Sequence, residues 1–197
     1  MKEEIKRENK IVFLPCQSTN CQKLQNLVEE EAGEFELDNI QLAFLKLFNV
    51  KTALPPSNSK QLFRAFLDYL RDTMGNLVVP EYYQHSYPEL NISQAKGLLF
   101  DLLTEGTAGG QNIIDDKNEA RQIIQDLFNW CGRECYFYTN WTRRYAPDIQ
   151  HKEYSYPRSG GGGNPLFDVA VTGYSGEEGL IFVSSSRAGI FWFFGED

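Results

Sequence analysis

Cysteine carries the widest chemistry in this chain, and its spacing frames the first question. Cys16 and Cys21 are separated by four residues, Cys131 and Cys135 by three. Tetrahedral zinc accepts four thiolates, often from pairs roughly two to four residues apart. Neither pair is the compact knuckle of zinc ribbons, and no glycine follows the second cysteine of either. The Cys-Gly-Arg-Glu-Cys run is also longer by one residue than the redox dithiol pattern. The expected reading is therefore no metal centre and no cofactor, with Cys131 and Cys16 as small buried hydrophobes. Disulfides are the weaker assumption in a reducing compartment.

Other segments invite chemistry that their context refuses. The run Ser159-Gly160-Gly161-Gly162-Gly163-Asn164-Pro165 could turn backbone N–H groups onto an anion. A phosphate loop needs a strand before it and a helix with Lys and Ser or Thr after it, whereas here Asn-Pro leads into an expected strand. A loop or linker is the better reading. Gly173-Tyr174-Ser175-Gly176 lacks the spacing of a nucleophile elbow. His151-Lys152-Glu153 matches the first half of a zinc-deaminase signature, but no cysteine lies downstream to complete it. The two histidines, His85 and His151, each have acidic neighbours, yet no cleft or substrate proton follows from sequence. No catalytic residue is assigned.

The most distinctive composition spans residues 133–158. Arg133, Arg143, Arg144, Lys152 and Arg158 outnumber Glu134, Asp148 and Glu153, with Tyr136, Phe137, Tyr138, Trp141, Tyr145, Tyr154 and Tyr156 interleaved. Tyr, Trp and Arg dominate contact hot spots because they bury large area for few lost rotamers. Tyr138, Trp141, Arg143, Arg144, Tyr145, Tyr154 and Tyr156 are thus the expected partner-binding residues. Half of the aromatics could instead be core, since alternate residues of a strand face opposite sides. The alternative is a small-molecule or anion-binding domain, or an enzyme, using Arg143, Arg144, Arg158 and His151.

Acidity points the same way. Nineteen basic against 27 acidic residues leave a net charge of −8, which repels phosphate backbones and argues against nucleic acid as the partner. Glu29, Glu30, Glu31, Glu34, Glu36 and Asp38 form one block, and Glu177, Glu178, Glu196 and Asp197 stand at strand ends. Gathered on one face, such groups steer a basic protein partner. The charged start, Met1 to Glu8, lacks the apolar core of a secretory signal, and no apolar run approaches the ~20 residues that cross a bilayer. A soluble, cytoplasmic protein without membrane association is expected.

The elements that must position these residues divide the chain. With 197 residues, 42% of them hydrophobic, it can hold a real core, and one domain over 1–197 is expected. A helix-rich part, 1–132, precedes a strand-rich part, 133–197. In the first, residues 38–49 carry Ile40, Leu42, Phe44, Leu45, Leu47 and Phe48 and suit a helix apolar nearly all round. Such a helix needs cover, leaving a homo-oligomer open. Asn58 and Ser59 can cap a helix with Leu62, Phe63, Phe66, Leu67 and Leu70 inward, running to Met74. A third runs through Ala95, Leu98, Leu99, Leu102 and Leu103. Asp116 with Glu119 resembles a capping box for a fourth, with Ile123, Ile124, Leu127 and Phe128 inward and Gly132 near its end.

Strands are expected at 136–141, 167–172, 180–184 and 190–194, where aromatic and β-branched residues alternate with turn residues. Hairpins should join the second to the third and the third to the fourth, and residues 10–14 could add one strand. The fold class expected is α+β: about four helices forming an N-terminal layer on one face of a C-terminal antiparallel sheet of about four strands. The function expected is a non-enzymatic acidic protein-binding module, of inhibitor or immunity type, with a basic protein partner.

Overall fold

The computed structural model describes residues 11–31, 43–52, 58–74, 87, 89–105, 113–139 and 178–193. In chain order these form β1 (Val12–Pro15), α1 (Thr19–Glu31), β2 (Ala43–Lys51), α2 (Ser59–Met74), β3 (Glu89–Leu90), α3 (Ile92–Glu105), α4 (Lys117–Cys131), β4 (Tyr136–Thr139), β5 (Glu178–Val183) and β6 (Arg187–Phe193). The six strands make one sheet in the order β1-β2-β6-β5-β4-β3, every neighbouring pair antiparallel. The mixed α+β class expected from sequence is the class observed.

Strand alternation explains why this sheet carries helices on both faces. In β6, Ala188, Ile190 and Trp192 point to one side and Phe191 and Phe193 to the other, and all five are buried. The side with Phe191 and Phe193 also holds Leu45, Leu47, Phe137, Leu180 and Phe182, and packs on α1, α3 and α4. The opposite side, with Phe13, Phe48, Val50, Tyr138 and Ile181, packs on α2 through Leu62, Phe63, Phe66, Leu67 and Leu70. A helical layer on one face only is thus corrected to helices on both. The first 132 residues hold all four described helices and also β1, β2 and β3, so the sheet draws on both parts of the chain.

The largest correction is at residues 38–49. Residues 43–51 are strand β2, with Ala43, Leu45 and Leu47 on one face and Phe44, Phe48 and Val50 on the other. A strand buried on both faces reads as a continuous apolar run, which periodicity cannot tell from a buried helix. β1 and β6 pair its two edges, and helices cover its two faces, α1, α3 and α4 on one side and α2 on the other. The fourth helix is instead α1, capped by Ser18, whose hydroxyl accepts the Cys21 N–H at 3.3 Å. The 10–14 strand is present as β1.

The remaining elements follow their sequence signals. α2 starts at Ser59 and ends at Met74. Asp116 caps α4 by accepting the Asn118 N–H at 2.7 Å, and Gly132, at φ 78°, closes the helix by donating to the Phe128 carbonyl. α3 opens on a reciprocal capping box: Asn91 accepts from the Gln94 N–H and Gln94 from the Asn91 N–H, both at 2.9 Å. Across Leu180–Val183 both edges of β5 are taken, by β4 and β6, so the hairpin expected between 167–172 and 180–184 has no free edge to occupy. Residues 167–172 lie outside the described residues. The β5–β6 hairpin turns through Ser184, whose hydroxyl accepts from the Arg187 N–H at 2.9 Å.

Candidate functional site

Two concavities flank the sheet. The first, of about 630 Å³, is a groove between α1 and α4. Its floor is apolar: Leu24 and Leu27 from α1, Ile123 and Trp130 from α4, and Leu47 from β2. Glu119, Gln122, Asp126 and Asn129 line the α4 rim, and Asn20 and Lys23 the α1 rim. These rim side chains are exposed, as helical spacing dictates for the face opposite Ala120, Ile124 and Leu127.

Both walls are fixed to the sheet. β1 ends at Pro15, opposite Phe48, so among the described residues no strand pairs the outer edge of β2 at Leu47, and α1 covers it. Gln25 accepts the Leu47 N–H at 2.9 Å, Glu29 pairs with Lys46 at 2.6 Å, and the Cys16 N–H donates to the Leu47 carbonyl at 2.7 Å. Cys16 and Cys21 are joined as a disulfide at the start of α1, which corrects the expectation of free thiols there and removes both from any zinc set. On the other wall, Trp130 stands edge-on to Phe182, ring centroids 6.2 Å apart, and beneath the Arg187 guanidinium at 5.3 Å. Arg187 is held in turn by donating to Asn49 at 2.8 Å.

The second concavity, of about 510 Å³, lies on the opposite face, between the start of α2 and the β3–β4 edge. Lys60, Phe63 and Arg64 of α2 face Tyr87, Glu89 and Tyr138 across it. Phe63 stacks on Tyr138 with centroids 4.1 Å apart and meets Tyr87 edge-on at 5.4 Å. Tyr138 is only 4% exposed, and its hydroxyl makes no hydrogen bond of acceptable geometry among the described residues. Burial raises its phenol above the ordinary 10.0. The Ser59 hydroxyl opposes that rise, and the Glu89 carboxylate adds to it.

Of the seven partner-binding residues expected from sequence, Tyr138 is in this core and cleft. Trp141, Arg143, Arg144, Tyr145, Tyr154 and Tyr156 lie outside the described residues, as do Arg158, His85, His151 and the glycine run. Cys131 and Cys135 are free and buried, and burial together with the Cys135 thiol pushes Cys131 well above its ordinary 9.0. A thiol held neutral in this way is a poor nucleophile and a poor metal ligand. Among the described residues no three of His, Cys, Asp or Glu gather as a metal centre would need, and no helix is long and apolar enough to cross a membrane. Sequence reasoning missed both concavities, because their linings come from segments far apart in the chain.

No family model matches the chain, and no match to it was found among curated proteins or solved structures.

Proposed function

We propose that this chain is a non-enzymatic acidic protein-binding module, of inhibitor or immunity type, that receives a basic amphipathic helix of a partner protein in the α1–α4 groove. One observation carries the reading: an apolar floor of Leu24, Leu27, Ile123 and Trp130 beneath a rim bearing the Glu119 and Asp126 carboxylates. Helix-in-groove recognition uses this division, with apolar anchors for affinity and rim charges for orientation and encounter rate. The net charge of −8 favours approach of a basic partner to the whole molecule. The aromatic and arginine-rich segment 141–156 belongs to the same proposal as a second contact region.

A cytoplasmic location is part of the same proposal. The Cys16–Cys21 disulfide is in tension with it, since reducing compartments keep most thiols free. Alkylation of the thiols in intact source cells before lysis decides between the two.

The test of the binding reading is capture of partners from source lysate on the wild-type protein and on a Glu119→Lys, Asp126→Lys double variant. The expected result is a stoichiometric basic protein that elutes as salt rises and is lost on the double variant, because rim charges are screened beyond about 8 Å at physiological salt. Recovery of the chain alone, or equal capture by the variant, overturns the reading.

A further inference from the structure

The backbone of Leu47, on the floor of the α1–α4 groove, is held from two sides by residues that one disulfide ties together. Its carbonyl accepts the Cys16 N–H at 2.7 Å, and its N–H donates to Gln25 at 2.9 Å. Cys21 stands about one helical turn before Gln25 on α1, and is bonded to Cys16. The contacts close a ring: Leu47 to Cys16, across the disulfide to Cys21, along one turn to Gln25 and back to Leu47. Cys21 itself lines the groove, and with Leu24 and Val28 it makes the buried stripe of α1.

Both half-cystines are buried, Cys16 at 7% exposure and Cys21 at 1%. Reduction adds a hydrogen to each sulfur and replaces a covalent bond by van der Waals contact, so the two must move apart within a packed surrounding. Either Cys16 withdraws from the Leu47 carbonyl, or the first turn of α1 lifts and carries Gln25 with it. Both movements open the ring at the wall and floor of the groove. The Glu29–Lys46 pair lies about two turns beyond Cys21 and is partly solvated, so it does not replace the lost tie. Between the two cysteines, Gln17, Ser18, Thr19 and Asn20 are exposed, and local opening of this short segment presents the bond to a thiol in solution.

We propose that the Cys16–Cys21 disulfide is a redox latch: a small monothiol of the glutathione class opens it, frees the α1 wall and weakens the groove for its helical partner. The last of these steps rests on the groove reading. The exchange is balanced as follows. One small thiolate attacks a sulfur of the bond and forms a mixed disulfide, releasing the other cysteine as a thiolate that takes up a proton. A second attacks the small molecule's sulfur in the mixed disulfide and releases the second cysteine. Two electrons pass from two thiols to the cystine, leaving one small-molecule disulfide and two protonated cysteines. Disulfides of reducing compartments are usually of this transient, sensing kind, which reconciles the bond with a cytoplasmic location.

The test uses the full chain in three forms: oxidised, treated with glutathione, and the Cys16→Ala, Cys21→Ala double variant. Amide hydrogen exchange is followed residue by residue, and a synthetic Leu/Lys amphipathic helical peptide is titrated into each form. Glutathione should reduce the bond reversibly, its disulfide restoring it. Exchange at Leu47 and at residues 22–27 should rise about tenfold beyond any change at the amides of β6, which report the fold itself, in both the reduced protein and the double variant. Peptide binding should weaken about five- to tenfold in both. Three results overturn the latch: a bond that glutathione leaves intact in the native protein, exchange at Leu47 and residues 22–27 that rises no more than in β6, or a peptide bound equally by the oxidised and reduced forms. A peptide bound by none of the forms overturns the groove reading instead, and exchange then decides the latch.

Discussion

Gly189 of β6 stands directly opposite Phe182 of β5, and the Phe182 ring fills the space that a side chain at 189 would need. A Cβ there would also come within 2.9 Å of the Lys46 carbonyl on β2, so the position is closed from both neighbouring strands. The glycine is what allows a phenylalanine to lie flat across the centre of the sheet.

Gly189→Ala should therefore overpack the core and cost about 2–3 kcal/mol, a fall in Tm of roughly 4–12 °C for a chain of this size. Gly132 is the control. It needs glycine for its φ of 78° at ψ −178°, a region essentially confined to glycine, while nothing lies within 4 Å of an added Cβ, so Gly132→Ala should cost about 1–3 kcal/mol through backbone strain alone. An unchanged Tm in Gly189→Ala would show that the Phe182 contact does not set the requirement at 189.

Cysteine accounting gives the second prediction. Native protein should show no rapidly alkylated thiol, since Cys131 and Cys135 are buried and Cys16 is bonded to Cys21. Unfolding without reductant should release two thiols, and unfolding with reductant all four. Reducing the disulfide removes a short loop closure worth about 2 kcal/mol, so reductant should lower the urea midpoint without abolishing the transition. Four thiols released in the absence of reductant would contradict the disulfide.

Alkaline pH supplies the third. The folded-state pKa values of Cys131 and Tyr138 both lie above their ordinary 9.0 and 10.0. The unfolded chain thus loses these protons at lower pH than the native one, and stability falls as pH rises through that window. Stability should be unaffected by either group at pH 7–8 and decline from about pH 9 upward, thiol first and phenol after it. Tyr138→Phe should flatten the decline above pH 10 and, because the buried hydroxyl it deletes makes no hydrogen bond of acceptable geometry among the described residues, should not destabilise the protein at neutral pH. A neutral-pH loss above about 1 kcal/mol would mean that the hydroxyl has a partner in solution.

How much of this was legible in the sequence depends on whether the signal was local. α2 and α4 each show a single apolar stripe at helical spacing with a capping residue before it, and both were found within a residue or two. β2 was not, because burial on both faces erased the alternation that marks a strand. α1 carries a weaker signal: Cys21, Leu24 and Val28 make a narrow stripe in an otherwise polar stretch. The cleft could not be read at all. Lys60, Glu89 and Tyr138 belong to three elements and meet only when the sheet forms, so no spacing along the chain announces them.

The position of α1 yields the last prediction, and two contacts that look alike separate by magnitude. Glu29 and Lys46 form an ion pair at 2.6 Å with side chains 29% and 40% exposed, while Gln25 accepts the Leu47 backbone N–H at 2.9 Å. Partly solvated pairs contribute about 0–1 kcal/mol, because water competes for both charges and two long side chains must be held still. A strand-edge N–H covered by a helix has no such alternative once its acceptor is removed. Gln25→Ala should therefore cost about 1–3 kcal/mol, and Glu29→Gln less than about 1 kcal/mol. Gln25→Glu, which keeps an acceptor at the same reach, should recover most of the loss. Hydrogen exchange at the Leu47 amide reads the local consequence directly: Gln25→Ala should speed it well beyond the change in global stability. If Glu29→Gln were the more damaging change, the ion pair rather than the edge hydrogen bond would be what fixes the α1 wall of the groove.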